Sequence, residues 1–337
     1  MHFVEDGETR VNMIVHLALF KLQEALAFLP RALEVVRRER PDYLLFDAMC
    51  PLGWLIARIE QLPSISSSST LAFTPALLPA EQLEHLLSGE GSDYVRAYED
   101  LAAQERLEYN IDMPQWLRSL NLFGDMTLLY TSAAMHPAAE TLDASFRLVG
   151  PCLRPADPAP DFPYAALEME NLVYISLGTV FNENVQFYRD CIAAFAGSPY
   201  HVLLSIGARV ELDALGQIPE NIVVCRSVPQ LDVLQRARLF VTHGGANSVH
   251  EALYYRVPLV LVPQMFEQEM NARQVVVNGA GICLDRAALT PEGLRQAVDS
   301  AMIQPSFRQN AERVGATLRA AGGAARAAEE ILAWRRG

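Results

Sequence analysis

Residues 241–251 read Val-Thr-His-Gly-Gly-Ala-Asn-Ser-Val-His-Glu, and those residue types at that spacing suit the binding of a diphosphate. Apolar Phe240 and Val241 end a strand, and His243-Gly244-Gly245 forms a turn in which missing β-carbons let backbone N–H groups approach an anion. Asn247 and Ser248 are expected to cap the helix that follows, bringing the positive end of its dipole and several free donors to one point. A pyrophosphate there would receive charge-assisted hydrogen bonds without any lysine. Glu251, three residues after Ser248, has two readings that spacing leaves open. One is a capping box with Ser248, and the other is a carboxylate that accepts hydrogens from ribose hydroxyls.

Two further clusters point the same way. Val228-Pro229-Gln230 precedes a helix and offers a backbone edge to a base. Pro263-Gln264-Met265-Phe266-Glu267-Gln268 follows a buried strand, where Glu267 and Gln268 would hydrogen-bond a polyol. Their bland alternative is a helix start with solvent-facing polar side chains. Loops at the carboxyl ends of parallel strands are where open sheets bind ligands, and all three clusters fall on that edge.

The elements that must position these residues are legible in the second half. Short apolar runs at 172–177, 201–206, 222–225, 239–242 and 259–262 read as buried strands, with helical periodicity at 185–195 and between the later strands. Helices are expected at 292–300, 307–319 and 324–335. Residues 150–163 hold five prolines and no periodicity, so they mark a linker. Before it, 14–40 is helical with a break expected near Pro30, 43–46 is a strand ending at Asp47, and 52–59 is a helix. A short strand at 63–66 precedes a polar run to Thr70. Helices follow at 93–109 and 113–120, with closing strands at 128–130 and 146–149.

A chain of 337 residues suits two α/β domains. With 51% hydrophobic and 20% charged residues it is neither disordered nor fibrous. Its net charge of -13 disfavours nucleic acid as a partner. No segment resembles a signal peptide or membrane span, and five widely spaced cysteines without a Cys-x-x-Cys pair suggest reduced thiols in a cytoplasmic protein with no structural metal.

These clusters, with Ser176-Leu177-Gly178-Thr179, the 148–151 segment Leu-Val-Gly-Pro, Asn271-Ala272 and the 321–326 segment Ala-Gly-Gly-Ala-Ala-Arg, resemble the donor-binding signature of UDP-glycosyltransferases. The nearest likeness is to the bacterial macrolide-type subfamily. That resemblance implies an α/β chain of GT-B type with two Rossmann-like domains: an incomplete acceptor-side domain at 1–150, the linker at 151–163, and a UDP-sugar-binding domain with a closing helix at 164–337. It implies that His243 donates to a donor phosphate, that Gly245, Asn247 and Ser248 complete the phosphate contacts, and that Thr179 reaches the diphosphate. Glu251 would hold ribose, the Val228–Gln230 segment would meet uracil through the Val228 main chain, and Glu267 with Gln268 would grip the sugar. Ser227 stands where plant relatives place a stacking tryptophan, so base recognition should rest on backbone. The implied substrates are a UDP-sugar, expected to be UDP-glucose, and a small apolar hydroxyl-bearing acceptor, with no further cofactor and no metal.

Such enzymes are similar in inverting the anomeric centre by one displacement, a histidine removing the acceptor proton and a buried aspartate orienting it. Asp47 matches that aspartate. The family's Gly-His-x-x-Pro segment, which carries the histidine after the first strand, is absent from this sequence. His2, His16, His85 and His136 lack the strand-end placement that fixes a base. The first strand of a doubly wound sheet lies near its middle, so its loss would leave an apolar edge exposed. Three expectations follow: a start at an internal methionine, a naturally shortened relative, or a second copy or partner chain that covers the gap. The competing functional expectation is an auxiliary protein that binds UDP or a UDP-sugar without catalysis. Acceptor choice should lie in 66–87 and 93–120, where Phe73, Leu77, Leu78, Tyr94, Tyr98 and Trp116 line a pocket or fill a core.

Overall fold

The computed structural model describes residues 7–77, 92–112, 121–154, 162, 164, 171–180 and 182–334. They form two compact units: Met1–Tyr130 with Ala138–Val149 and Ala327–Gly337, and Thr131–Pro137 with Gly150–Arg326. The expected helix at 113–120 and most of the expected linker (155–161 and 163) lie outside the described residues, as do His2, Leu78, His85 and Trp116.

The first unit carries a parallel sheet of β1 (Leu44–Asp47), β2 (Ser64–Ser68), β3 (Met126–Leu129) and β4 (Phe146–Leu148), in that order. Helix α1 (Gly7–Glu39) packs with α2 (Pro51–Ile59) and α3 (Ser92–Tyr109) through Leu22, Leu29 and Leu33, Leu55 and Tyr98. The break expected at Pro30 does not occur, since α1 runs through it. An interior proline costs about 3 kcal/mol, which the burial of Leu29 and Leu33 on either side offsets.

β2 also runs farther than the expected 63–66, because its hydroxyls find partners. Ser64 donates from N and Oγ to Asp125 Oδ2 at 2.8 and 3.0 Å, Ser66 Oγ donates to the Leu122 carbonyl at 2.7 Å, and Ser67 Oγ lies 2.9 Å from the Tyr130 hydroxyl. A serine-rich strand can thus sit at 0 to 3% exposure at Ser64, Ile65 and Ser66. Among the described residues β1 is an edge strand, and its Leu45 is 51% exposed.

The second unit has six parallel strands among the described residues. They are β5 (Leu172–Ser176), β6 (His201–Ser205), β7 (Ile222–Cys225), β8 (Leu239–Thr242), β9 (Leu259–Leu261) and β10 (Gly281–Cys283), in spatial order β10-β9-β8-β5-β6-β7. Helices α4 (Val185–Phe195), α5 (Gln230–Arg236), α6 (Ala246–Tyr254), α7 (Phe266–Val277), α8 (Pro291–Ile303) and α9 (Pro305–Ala320) cover it. Successive strand residues face opposite layers. Val173 and Ile175 meet α4 and α8, whereas Leu172 and Tyr174 share a layer with α5, α6, α7 and α9. Three-residue β10, preceded by Gly279, went unread in the sequence because it is too short to show periodicity.

The terminal helix α10 (Gly323–Trp334) begins in the second unit, and from Ala327 it belongs to the first. There Ala327, Ile331 and Trp334 pack with Ile65, Met126, Val149 and Tyr43, so the expected 164–337 domain differs from the observed unit at its closing end. Thr131–Pro137 likewise belongs to the second unit rather than to 1–150. No described helix is long and apolar enough to cross a membrane.

Helix α6, which begins within the 241–251 run, is held from behind by α9. A β-carbon on Gly315 would stand 2.0 Å from the Leu253 carbonyl oxygen. Arg319 donates to the Tyr254 carbonyl and, at 2.7 Å, to Glu312, placing a cation at the negative end of the α6 dipole. Gly315→Ala should therefore push α9 off α6 and cost about 1–3 kcal/mol, read as a lower urea midpoint with an unchanged slope.

Candidate functional site

The sheet of the second unit reverses direction between β5 and β8. The chain leaves β5 for β6 and β7, then returns to pair β8 on the other side of β5. The loops after these two strands diverge, and open α/β sheets hold ligands at such a switch point. Thr179 and Val180 follow β5, both exposed, and His243-Gly244-Gly245 follows β8.

The His243 ring lies between two glycines. A β-carbon on Gly178 would be 2.6 Å from its Cε1 and one on Gly245 would be 2.5 Å from its Nε2, so neither position has room for a side chain. Its Nδ1 is 3.3 Å from Thr242 Oγ1. Burial pushes its pKa down to about 4, partly opposed by a hydrogen bond to the Ser176 main chain. The ring is therefore neutral at pH 7.

The neighbouring loops are tied in place. Gly178 has φ of 80°, donates to Ser176 Oγ at 3.1 Å, and its carbonyl accepts from Asn182 at 2.8 Å. Gly244 has φ of 86°, and its carbonyl accepts from Asn271 at 3.1 Å. Both left-handed conformations favour glycine.

Helix α6 starts two to three residues earlier than the sequence suggests. Gly245 is its N-cap and no side chain caps it, so Asn247 and Ser248 occupy the second and third helical positions rather than the cap. Asn247 is exposed and Ser248 is buried. This register places Glu251 in the second turn, out of reach of a capping box. Glu251 instead accepts from Gln230 Nε2 at 2.6 Å. Burial raises its pKa and the Gln230 bond lowers it.

Gln230 opens α5, and among the described residues the Val228 main-chain N–H and carbonyl before it make no hydrogen bond. Glu267 and Gln268 lie in the first turn of α7, whose N-cap Met265 also makes no side-chain cap. They are not solvent-facing: Gln268 is 8% exposed and accepts at Oε1 from Gln264 N at 2.8 Å. Burial raises the Glu267 pKa, with an opposing side-chain bond from Asn271. Thr179, Val228, Gln230, His243, Gly245, Asn247, Ser248, Glu251, Glu267 and Gln268 thus all lie at the carboxyl edge of this one sheet. Asp47 lies in the first unit, exposed at the end of β1, with Oδ1 accepting from Met49 N at 2.8 Å. His16 there packs on Tyr94 with ring centroids 5.1 Å apart and planes tilted by 42°, while Tyr98 is core.

Sequence reasoning missed two supports. Asn182 braces Gly178 and fills the space against Gly207, where a β-carbon would meet its Nδ2 at 2.4 Å. Tyr174 donates to Gln230 Oε1 at 3.0 Å. The available signal was chemical, since a tyrosine in a fully buried strand needs an acceptor where a phenylalanine does not.

The two α/β units with parallel sheets are Rossmann-like, and the fold is of the GT-B class. The chain belongs to the family described as UDP-glucoronosyl and UDP-glucosyl transferase, whose profile matches residues 143–319. It is 34% identical over 301 residues to the uncharacterized UDP-glucosyltransferase YojK of Bacillus subtilis, covering 89% of this chain and 74% of that protein. Among solved structures it is similar to the glycotransferase of kitacinnamycin, with 30% identity, a TM-score of 0.82, and coverage of 94% of this chain and 82% of that one. It is also similar to CalG4, the calicheamicin glycosyltransferase, at 29% identity and a TM-score of 0.79, covering 95% and 80%.

A second buried imidazole, His250, lies on α6, 2.9 Å from Thr131 Oγ1, and burial pushes its pKa down to about 4 as well. Both rings have pKa values below the unfolded value of 6.5, so below pH 6.5 the unfolded chain takes up protons that the folded chain refuses. Stability should be intact above pH 6.5 and fall as pH drops toward 4, by roughly 3 kcal/mol per ring at most. Urea unfolding at pH 7 and pH 4.5 should show that loss, and His250→Asn should show a smaller one.

Proposed function

We propose that the chain transfers a hexosyl group, glucose by preference, from a UDP-sugar to a hydroxyl of a small lipophilic acceptor, with inversion at the anomeric carbon. The observation that carries this reading is the arrangement at the β5/β8 switch. The uncapped start of α6, a neutral His243 and the Glu251 carboxylate share one short stretch of chain. Family membership supports the donor class, and the calicheamicin and kitacinnamycin enzymes are named for natural products.

In this reading the diphosphate takes the free first-turn N–H groups of α6 and the His243 ring, with Thr179, Gly245, Asn247 and Ser248 completing the contacts. Donors fixed before the reaction stabilise the charge that grows on UDP as it leaves. Glu251 accepts from ribose hydroxyls, the free Val228 main chain meets the base, and Glu267 with Gln268 holds the sugar. The acceptor oxygen forms a bond to the anomeric carbon as the bond to the phosphate oxygen breaks, and the hydroxyl proton goes to a general base. Asp47 is the proposed acceptor-side carboxylate that orients this base and offsets its charge.

The second reading is UDP or UDP-sugar binding without turnover. It is favoured by Asp47, which is exposed and bonded to its own turn rather than buried against a histidine. One set of assays separates the two. Incubation with UDP-glucose and phenolic or macrolide acceptors should yield a glycoside, and Asp47→Asn should lower kcat at least about tenfold while leaving UDP affinity unchanged. His243→Ala and Glu251→Ala should each weaken UDP binding by about tenfold or more. UDP binding with no product from any acceptor selects the binding protein, and binding untouched by both substitutions removes the site from either reading.

A further inference from the structure

Tyr174 occupies the middle of β5 and is 1% exposed. Its ring stacks on Phe240 of β8 with centroids 4.5 Å apart and an interplanar angle of 10°, across the register pair Tyr174 and Phe240. Packing alone would be met by phenylalanine, because the layer around the ring, Leu172, Leu203, Phe240 and Leu261, is apolar, while the Ser176 and Ser205 hydroxyls lie beside the tyrosine oxygen. The hydroxyl is the part that needs explaining. Left without a partner it would cost the full desolvation of a polar group, and it is instead directed at the nucleotide edge.

The Tyr174 hydroxyl donates to Gln230 Oε1 at 3.0 Å, and Gln230 Nε2 donates to Glu251 Oε2 at 2.6 Å. The carboxylate, which only accepts, takes the NH2 end of Gln230 and so turns the carbonyl end to the tyrosine, whose hydroxyl donates to it and holds the amide in that place. Burial pushes the tyrosine pKa far up, so the hydroxyl stays a donor at every working pH. Its ring cannot swing, being fixed by the strand pairing and the stack. Gln230 has both amide ends engaged, so its main effect passes through Glu251. One carboxylate oxygen is held, and the other is left for hydroxyl hydrogens.

We propose that Tyr174 is a positioning residue for ribose: through Gln230 it aims the Glu251 carboxylate at the vicinal 2′- and 3′-hydroxyls of a ribonucleoside diphosphate. This rests on the donor reading above, in which Glu251 contacts the ribose. It adds that discrimination between a ribo- and a deoxyribonucleotide is set from inside the sheet, by a residue that touches no ligand.

Calorimetric titration of UDP and 2′-deoxy-UDP into the full chain tests it, using wild type, Tyr174→Phe, Gln230→Ala, Glu251→Ala and the Tyr174→Phe/Gln230→Ala pair. Wild type should prefer UDP by about tenfold or more, because a site built to bond a hydroxyl rejects the analogue lacking it. Tyr174→Phe should weaken UDP by about five- to twentyfold and 2′-deoxy-UDP by no more than about twofold. The double variant should be no weaker than Gln230→Ala alone, as expected for residues acting in series. Tyr174→Phe should also move the acid limb of UDP binding to higher pH, since loosening the Gln230 bond raises the Glu251 pKa and the carboxylate protonates sooner.

Equal weakening of both nucleotides by Tyr174→Phe, which is what a core-packing role would give, overturns the proposal, as does no change in either. Should Tyr174→Phe unfold, Gln230→Ala carries the same test, and an unaltered preference in that variant overturns it. Failure of wild type to bind UDP, or a preference that survives Glu251→Ala, overturns the ribose assignment itself.

Discussion

The reversal of winding between β5 and β8 is the constraint on which the second unit depends. From β5 the chain crosses by α4 on one face, and from β7, β8 and β9 it crosses by α5, α6 and α7 on the other. A sheet wound in one direction would bring each crossover over its neighbour's loop. Here the loops after β5 and β8 part, and the gap is filled by an imidazole instead of an apolar side chain. Such a ring is buried tolerably only while neutral. Its place is kept by Gly178 and Gly245, since a β-carbon on either would collide with it.

The second unit was legible because its strands are continuous apolar runs bounded by glycine and proline, the pattern of a sheet covered on both faces. The candidate site residues were legible as a cluster too, because glycines and small polar groups crowded at strand ends have few purely structural uses. Their supports were not. Tyr174 alternates with Val173 and Ile175 as any core residue would, and its hydroxyl partner comes from α5 after two intervening strands. Asn182 lies in a loop with no period at all. Local patterns show which residues are buried, whereas the partners of buried polar atoms are set by strand order.

The first unit shows the same boundary from the other side. Ser66 and Ser68 look like the end of a strand because serine favours turns, yet both are buried in β2. Their acceptors and donors come from residues such as Asn121 and Leu122, more than fifty positions away in sequence. A polar strand buried in this way depends on every hydroxyl being matched. Helix α1 likewise runs through Pro30 because of apolar burial on both sides of it, which is a tertiary reason that no local rule about proline contains.

Register at the start of α6 decides what Glu251 can be. Had Ser248 capped the helix, its side-chain oxygen would have taken a first-turn N–H group and drawn Glu251 into reciprocation. With Gly245 at the cap no N-cap side chain takes those donors, and the N-cap residues of α5 and α7, Pro229 and Met265, likewise make no side-chain cap. By contrast α4 and α8 are capped by Asn184 and Thr290. An absent cap costs a helix about 1 kcal/mol, and at α6 an anion on the N–H groups, as in the proposed donor site, would recover that cost. The stability that α6 gives up at its start is replaced at its other end, where Arg319 meets the Tyr254 carbonyl and Gly315 admits α9 against the Leu253 backbone. A helix anchored at one end and uncapped at the other can hold a charged ligand on its dipole without depending on that ligand to fold.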